Sequence, residues 1–155
     1  MTMIINEQNF QLLVDKLIEQ IQSDVVFLSD KPVVVGILHG GKIPADYIAN
    51  KLNLTIQYIT IKTRNGLSGK QGVMNIDNNI NISFPNNFLF LNKPFLIIDD
   101  IFDSGLTMFI AKQIFPKSKT AVIVNKDVQK IKNFDIDYYA IKIPNIWVNF
   151  YWETK

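Results

Sequence analysis

Residues 95–107 have the sequence Phe95-Leu96-Ile97-Ile98-Asp99-Asp100-Ile101-Phe102-Asp103-Ser104-Gly105-Leu106-Thr107. An apolar run that ends in two adjacent carboxylates is typical of a buried parallel strand, because such a strand is covered on both faces and carries polar groups at its carboxyl end. The pattern therefore predicts that Asp99 and Asp100 lie at the rim of a sheet. Small and hydroxyl side chains follow, and a helix is predicted from Met108 to Phe115. Because N–H groups at a helix start bind phosphate, the segment predicts two acids beside a phosphate cradle.

The other apolar runs alternate between strand and helix patterns along the chain. Period-two and β-branched runs predict strands at 33–38, 54–61, 120–125 and 138–143, with a short one at 88–91. Helical spacing predicts amphipathic helices at 7–22 and 45–52. This alternation is typical of a doubly wound α/β fold, in which a mainly parallel sheet is flanked by helices and binds ligands at the carboxyl ends of its strands.

Length and composition narrow the class of protein. A chain of 155 residues with 48% hydrophobic content fits one domain, residues 1–155, with a sizeable core. The net charge of +2 provides neither the basic footprint of a nucleic-acid-binding protein nor a membrane patch. There is no cysteine, which excludes disulfides and thiolate metal sites. The first ten residues hold no basic residue and the apolar runs are short, so we expect a cytoplasmic protein without a signal peptide or membrane span.

Two further segments have the composition of phosphate-binding loops. His39-Gly40-Gly41-Lys42 follows the strand at 33–38, and its glycines would let the backbone approach an anion at a helix start. The alternative is an ordinary tight turn, with His39 as a surface residue. Residues 62–87 lack a firm pattern and hold Arg64, the only arginine of the chain, in a glycine-rich stretch. We predict a lid over phosphate groups, and a solvated hairpin is the alternative.

The central stretch resembles the phosphoribosyl pyrophosphate binding motif of the type I phosphoribosyltransferases: two hydrophobic residues, two acids, two hydrophobic residues, then Asp-Ser-Gly-x-Thr. The alternative is a strand followed by an Asp/Ser helix cap. The resemblance extends in order from Val33 to Glu153 and includes a pyrophosphate loop, a lid, a lysine after the strand at 120–125, and an aromatic tail at 144–155. The chain departs from the family pattern at His39 and at Leu106.

The resemblance implies a role for each part of the motif. Asp99 and Asp100 would contact the ribose hydroxyls directly or through Mg²⁺, and Asp103 would lie near purine N7 and move its proton. The 5′-phosphate would be held by Ser104-Gly105-Leu106-Thr107. Pyrophosphate would be bound by His39-Gly40-Gly41-Lys42 and, from the lid, by Arg64.

The same resemblance implies a base pocket near the end of the chain. Lys126 would contact the exocyclic oxygen at purine C6. The tail resembles that of the bacterial xanthine-guanine branch, in which the ring of Trp147 would stack on the base and the backbone of Val148 would read its edge. Glu153 would reach the metal or the base. The alternative for Trp147, and more so for Trp152, is an aromatic residue of the core or of a subunit interface.

We therefore expect the type I phosphoribosyltransferase fold with a flexible lid and a small C-terminal hood. The implied activity is Mg²⁺-dependent purine salvage, in which ribose 5-phosphate moves from phosphoribosyl pyrophosphate to N9 of hypoxanthine, guanine or xanthine. The implied assembly is a homodimer or homotetramer. The alternatives are a pyrimidine or adenine acceptor, a phosphorylation receiver domain, or a non-catalytic regulator that senses nucleotides and binds partners through a lysine-rich face. We predict that the lysines of that region form a solvated face: Lys112, Lys117, Lys119, Lys130 and Lys132.

Overall fold

The computed structural model describes residues 1–63, 80–131 and 133–153. Most of the predicted lid lies outside these residues. No helix within them is both long and apolar enough to cross a membrane. In chain order the elements are β1 (Thr2–Ile5), α1 (Glu7–Ser23), α2 (Val25–Ser29), β2 (Val33–Leu38), α3 (Lys42–Leu52), β3 (Ile56–Thr63), β4 (Ile80–Ser83), β5 (Phe95–Phe102), α4 (Leu106–Ile114), β6 (Ser118–Lys126), β7 (Tyr138–Ile143), β8 (Trp147–Phe150) and a 3₁₀ turn (Tyr151–Glu153).

The main sheet has the strand order β4-β3-β2-β5-β6-β7. All neighbours are parallel except β3 and β4, which pair antiparallel. From β2 the chain moves outward to β3, and from β5 it moves outward in the other direction to β6. The strand order therefore reverses between β2 and β5, and the loops that follow these two strands diverge there and open a crevice at the carboxyl edge. The predicted α/β architecture is confirmed.

Helices cover both faces of the sheet. Alternate residues of β5 divide between two cores, with Leu96 and Ile98 on the α1 and α3 side and Phe95 and Ile97 on the α4 side. This two-sided burial explains the unbroken apolar run at the start of β5. The predicted apolar stripe of the first helix is confirmed, because the buried residues of α1 are Phe10, Val14, Leu17, Ile18 and Ile21.

A second, two-stranded sheet joins the two ends of the chain and was not predicted. β1 runs parallel to β8, with Thr2 opposite Trp147 and Ile5 opposite Phe150. Each strand has only four residues, and β1 buries Ile5 alone while Ile4 is exposed. A pairing this short and this distant in sequence leaves no periodic pattern, so only the folded chain reveals it.

The prediction of a strand at residues 88–91 is wrong. The segment is a loop, and the side chain of Gln57 forms the hydrogen bonds that a strand partner would form, accepting from the Leu89 N–H at 2.7 Å and donating to its C=O at 2.8 Å. Both flanking rings turn to one side, since Phe88 and Phe90 each contact Phe84 and Phe115 at centroid distances of 5.1–5.9 Å. Side-chain packing thus replaces the alternation of a strand.

The boundaries of other elements shift by two or three residues from those predicted. The helix predicted at 45–52 begins at Lys42, which places Pro44 in its first turn. α4 begins at Leu106 instead of Met108, and β6 begins at Ser118. β3 starts and ends two residues later than predicted. Both helices therefore begin directly after the candidate phosphate-binding glycines.

One charged cluster ties α1 and α2 to the sheet. Asp24, between the two helices, accepts hydrogen bonds from Lys119 Nζ and from the Tyr138 hydroxyl. The hydrogen bond from Lys119, followed by that from Tyr138, lowers the pKa of Asp24 to about 2. The ionised carboxylate therefore stabilises the fold above the pKa of an unfolded aspartate and loses that contribution as the pH falls through about 2.

We expect the Asp24→Asn variant to lower the melting temperature by about 4 °C at pH 7, because the amide still caps α2 but loses both charge-assisted bonds. The difference from wild type should shrink as the pH falls from about 4 to about 2. Thermal denaturation followed by circular dichroism measures the melting temperature and its dependence on pH. The matched control is Asp30→Asn, because Asp30 is exposed. A decrease in melting temperature that is the same at every pH would contradict the electrostatic explanation.

Candidate active site

The two adjacent acids lie near the carboxyl end of β5, as predicted. Each carboxylate accepts a hydrogen bond from the next backbone N–H, from Asp100 to Asp99 Oδ1 at 2.9 Å and from Ile101 to Asp100 Oδ1 at 2.8 Å. Among the described residues no lysine or histidine forms an ion pair with either acid. The pair therefore presents acceptor oxygens to the crevice without a protein cation to balance them.

Burial makes this pair of charges costly. Both residues keep part of their surface accessible, but desolvation of the carboxyl group raises the pKa of Asp99 well above its usual range, and the charge of Asp100 adds to the shift. Desolvation also raises the pKa of Asp100, and the negative charge of Glu153 acts in the same direction. A cation or hydroxyl donors in the crevice would relieve this cost.

The phosphate loop follows β5 directly. Gly105 has φ +90°, and a Cβ there would lie 3.0 Å from the ring of Phe102, so both conformation and space require glycine. Ser104 Oγ accepts a hydrogen bond from the Leu106 N–H at 3.3 Å. A small cavity of about 70 Å³ lies here, lined by Asp99, Ile101, Phe102, Asp103, Ser104, Gly105, Leu106, Thr107 and Met108. The first N–H groups of α4 have no intrahelical acceptor, so this cavity suits a phosphate group.

The glycine loop after β2 packs against the acids of β5. A Cβ on Gly40 would lie 2.3 Å from Asp100 Oδ2, and one on Gly41 would lie 2.5 Å from the carbonyl oxygen of Ile98. The loop begins with a cis peptide bond between Leu38 and the exposed His39. The structure thus brings the predicted pyrophosphate loop into contact with the predicted ribose-binding acids.

Lys42, predicted to bind substrate, is engaged elsewhere. Its Nζ lies 2.7 Å from Asp46 Oδ2 and 5.3 Å from the centre of the Tyr58 ring. The hydrogen bond with Asp46 raises the pKa of Lys42. Tyr58 also donates a hydrogen bond to Asp46. The ammonium of Lys42 would have to leave this network to reach an anion.

A polar cavity extends from His39 towards the β3–β4 hairpin. Its volume is about 430 Å³, and its lining residues are His39, Thr60, Lys62, Asn81, Ile82 and Ser83. Arg64, predicted to close over phosphate groups, lies outside the described residues. The paired residues of β3 and β4 therefore place one lysine, one amide and two hydroxyl side chains beside the glycine loop. These residues are Lys62, Asn81, Thr60 and Ser83.

Lys126 and Asp103 lie together although they follow different strands in the chain, Asp103 directly after β5 and Lys126 at the end of β6. Lys126, at the end of β6, is only 7% exposed, and its Nζ lies 3.5 Å from Asp103 Oδ2. The Asp103 side chain is 59% exposed. A buried ammonium beside an open carboxylate provides one donor and one acceptor at the same edge of the sheet.

Comparison with known proteins identifies the family of the chain. The model of the family described as phosphoribosyl transferase domain matches residues 1–155. The chain belongs to the phosphoribosyltransferase family. The prediction made from the central motif is thereby confirmed.

Several relatives resemble this phosphoribosyltransferase. A xanthine-guanine phosphoribosyltransferase of Gluconobacter oxydans (strain 621H) is 28% identical over 122 residues, which cover 78% of this chain and 68% of the relative. A purine phosphoribosyltransferase structure from Pyrococcus horikoshii Ot3 superposes with a TM-score of 0.75 at 19% identity, covering 99% of this chain and 95% of that one. A Helicobacter pylori xanthine-guanine-hypoxanthine phosphoribosyltransferase superposes with a TM-score of 0.70 at 17% identity, and the match covers 99% of this chain and 94% of that one. These superpositions support the fold.

The aromatic tail of this phosphoribosyltransferase divides into an exposed part and a core part. Trp147 is 67% exposed, and its Nε1 donates to Asn149 Oδ1 at 2.8 Å. Val148 is buried. Trp152 stacks on Phe150 with 4.5 Å between ring centroids and an interplanar angle of 8°. Trp152 is partly buried and packs against the core, whereas Trp147 keeps a ring face accessible.

Glu153 ends the described tail close to the acid pair. Its Oε2 accepts a hydrogen bond from the Phe150 N–H at 2.7 Å, and its charge raises the pKa of Asp100. Within residues 1–63, 80–131 and 133–153, no group of three or more histidine, aspartate or glutamate side chains is arranged to hold a metal ion. The assignment of Asp99, Asp100 and Glu153 as metal ligands stays a prediction.

The prediction of a solvated lysine face is wrong for three of its five members. Lys119 pairs with Asp24, and Lys112 donates to the carbonyl oxygen of Ser118. Lys130 is half-buried and donates to the carbonyl oxygen of Lys126. Lys117 is exposed, and Lys132 lies outside the described residues. Sequence spacing alone does not distinguish these lysines, because their acceptors come from other elements.

We expect the Asp99→Asn variant of this phosphoribosyltransferase to be more stable than wild type, with a melting temperature at pH 7 raised by about 3 °C. The folded state holds a proton on Asp99 more tightly than the unfolded chain does, so the cost of ionisation grows as the pH rises above about 4.

Thermal denaturation at several pH values tests this expectation. The gain should disappear near pH 3, where the wild-type carboxyl is protonated in both states. Glu19→Gln, an exposed acid on α1, is the control and should leave the melting temperature unchanged. A destabilised Asp99→Asn variant at pH 7 would contradict the proposed charge cost.

Proposed function

We propose that the protein transfers ribose 5-phosphate from phosphoribosyl pyrophosphate to N9 of a 6-oxopurine, hypoxanthine, guanine or xanthine, and releases pyrophosphate in purine salvage. The observation that carries this proposal is the distance of 3.5 Å between Lys126 Nζ and Asp103 Oδ2, directly beside the phosphate loop. A 6-oxopurine presents an acceptor oxygen at C6 and a nitrogen at N7 on one edge. The lysine can donate to the oxygen while the carboxylate takes up or returns the proton at N7.

This donor pattern favours oxopurines over adenine. The C6 substituent of adenine is an amine, which would set a donor against the Lys126 ammonium. Lys126 is buried and therefore has little freedom to turn away. The mismatch would leave an unpaired charge in a desolvated place, which is costly.

The sugar phosphate would extend from the two acids of β5 to the loop that follows this strand. The phosphate is held by Ser104-Gly105-Leu106-Thr107 at the start of α4, and Asp99 and Asp100 accept hydrogen bonds from the ribose hydroxyls. As the bond from C1′ to pyrophosphate breaks, positive charge develops on the ribose. Two carboxylates whose charge no cation of the described residues balances would stabilise that positive charge more than they stabilise the uncharged ribose of the ground state.

The leaving pyrophosphate lies on the β2 side of the crevice. The Gly40 backbone contacts the Asp100 carboxylate, so an anion seated on His39-Gly40-Gly41 would lie beside the ribose. Lys62 and the hydroxyls of Thr60 and Ser83 line the adjoining cavity. Arg64 would close over the same group and exclude water.

A divalent cation fits this site. Asp99 and Asp100 supply hard carboxylate oxygens whose charge no described cation balances, which is the donor type that Mg²⁺ prefers. Two protein carboxylates suffice because Mg²⁺ commonly completes its shell with water and substrate phosphate oxygens. When bound, Mg²⁺ supplies charge neutralisation for the pyrophosphate. Glu153 lies near enough to add negative charge to the site.

The purine ring would stack on Trp147, whose indole is mostly exposed and oriented by Asn149. The buried Val148 would present its backbone to the edge of the base. The family resemblance also leads us to propose a cytoplasmic homodimer or homotetramer. Light scattering of the purified protein measures its mass in solution.

A steady-state ultraviolet assay tests the proposed activity. The purified protein is supplied with Mg²⁺ and phosphoribosyl pyrophosphate, and hypoxanthine, guanine, xanthine and adenine are compared in parallel. We expect turnover of at least one oxopurine and none of adenine. If no base reacts while a nucleoside monophosphate still binds, the protein is a nucleotide sensor instead of a transferase.

The Asp103→Asn variant tests the role of the carboxylate. We expect kcat to fall by about 10²-fold or more, because the amide cannot take up the purine proton. Binding of phosphoribosyl pyrophosphate, measured by calorimetry, should stay within about twofold of wild type. Asp127→Asn, an exposed acid after β6, is the matched control. Unchanged turnover would remove Asp103 from proton transfer.

A further inference from the structure

We propose that Lys130 is a positioning residue for the reaction, which holds Lys126 in register with Asp103 by tying the segment after β6 to the phosphate loop. The inference rests on the proposed function. Lys130 was predicted to lie on a solvated face, but the structure places it between Lys126 and the residue before Asp103.

The Lys130 ammonium makes two contacts that join separate elements. Its Nζ donates to the backbone carbonyl oxygen of Lys126, the residue assigned to the purine oxygen. The same Nζ lies 4.8 Å from the ring centroid of Phe102, which is buried and directly precedes Asp103. A cation that binds both a carbonyl oxygen and an aromatic face restrains the two backbones relative to each other.

The residues that follow Lys130 form a second set of contacts. The Ile131 N–H donates to the carbonyl oxygen of Ser104 at 3.1 Å. The ring of Phe134 packs edge-on against Phe102 and Phe109, with centroids 5.9 and 5.5 Å away. The segment therefore contacts the phosphate loop on both sides of Asp103, at Phe102 and at Ser104.

An apolar side chain could fill the same space without the cost of burying a charge. Desolvation lowers the pKa of Lys130, and the charges of Asp103 and Asp135 oppose that shift. The ammonium is retained although burial disfavours it, and its one hydrogen bond in the described residues goes to Lys126. We assign the charge to positioning because its two contacts are with Lys126 itself and with Phe102, the residue that directly precedes Asp103.

Such positioning matters because proton transfer and base recognition need both partners within hydrogen-bond distance. A displacement of about 1 Å in a reacting group can lower the rate by about 10²-fold. Loss of the Lys130 ammonium would free Lys126 and Asp103 to move apart. Phosphate binding would be less affected, since the cradle also depends on Gly105 and the start of α4.

The test compares Lys130→Met, which keeps the chain length but removes the donor, with Lys130→Arg, which keeps donor and charge. A second cavity of about 430 Å³, distinct from the one beside His39, lies at the end of β6 and is lined by residues that include Lys126, Lys130 and Lys142. Lys142→Met is the matched control, because Lys142 lines this cavity with Lys130 but is exposed on β7. Steady-state kinetics give KM for the preferred oxopurine and for phosphoribosyl pyrophosphate separately, and thermal denaturation reports stability.

We expect Lys130→Met to raise KM for the oxopurine by about tenfold while KM for phosphoribosyl pyrophosphate stays within about twofold. Lys130→Arg and Lys142→Met should resemble wild type. A merely structural role would lower the melting temperature and the active fraction but leave the ratio of the two KM values unchanged. That result would overturn the proposal.

If Lys130→Met does not fold, Lys130→Gln tests whether the charge at this position is needed, since its amide keeps a hydrogen-bond donor without the charge. An oxopurine KM equal to that of wild type in a folded Lys130→Gln variant would overturn the role of the ammonium, and a selective rise would support it. Absence of oxopurine turnover by the wild-type protein would overturn the proposed function and this inference together. Active wild type with unchanged variants would overturn this inference alone.

Discussion

The site depends on the direct contact between the backbone of Gly40 and the carboxylate of Asp100. A side chain at position 40 would overlap the Asp100 oxygens, and one at position 41 would overlap the carbonyl oxygen of Ile98. This contact exists because β2 and β5 are neighbours at the point where the strand order reverses. The glycine loop after β2, the two acids of β5 and the loop before α4 thereby converge on one crevice, although they come from residues far apart in the chain.

The convergence has an electrostatic cost. Two adjacent carboxylates are desolvated at the end of β5, and Glu153 from the tail adds to the negative potential. No cation from the described residues offsets it. Hydroxyl donors or a divalent cation bound in the crevice would relieve this cost. In the proposed function, the two charges would therefore serve the ligand at the expense of the stability of the fold.

The base end of the crevice is built differently. Lys126 and Asp103 form their own ion pair, and Lys130 links the backbone of one to the segment of the other. The tail is held by the short pairing of β1 with β8, and the Trp147 ring is exposed while Trp152 packs against Phe10. The end proposed to bind ribose thus carries charge that no cation of the described residues balances, whereas the end proposed to bind the base consists of groups already oriented by neighbouring residues.

The local sequence was sufficient to predict β5, its acids, the phosphate loop and the α/β alternation. These features depend on periodicity and on neighbouring residues, which a linear pattern records. Tertiary structure alone decided that Tyr58 joins Lys42 on Asp46, that the Lys130 ammonium reaches the Phe102 ring, that residues 88–91 form a loop around Gln57, and that the first residues pair with the tail. Each of these is a side-chain contact or a short pairing between residues with no periodic relation, so its partner becomes known only when the folded backbone brings the two together.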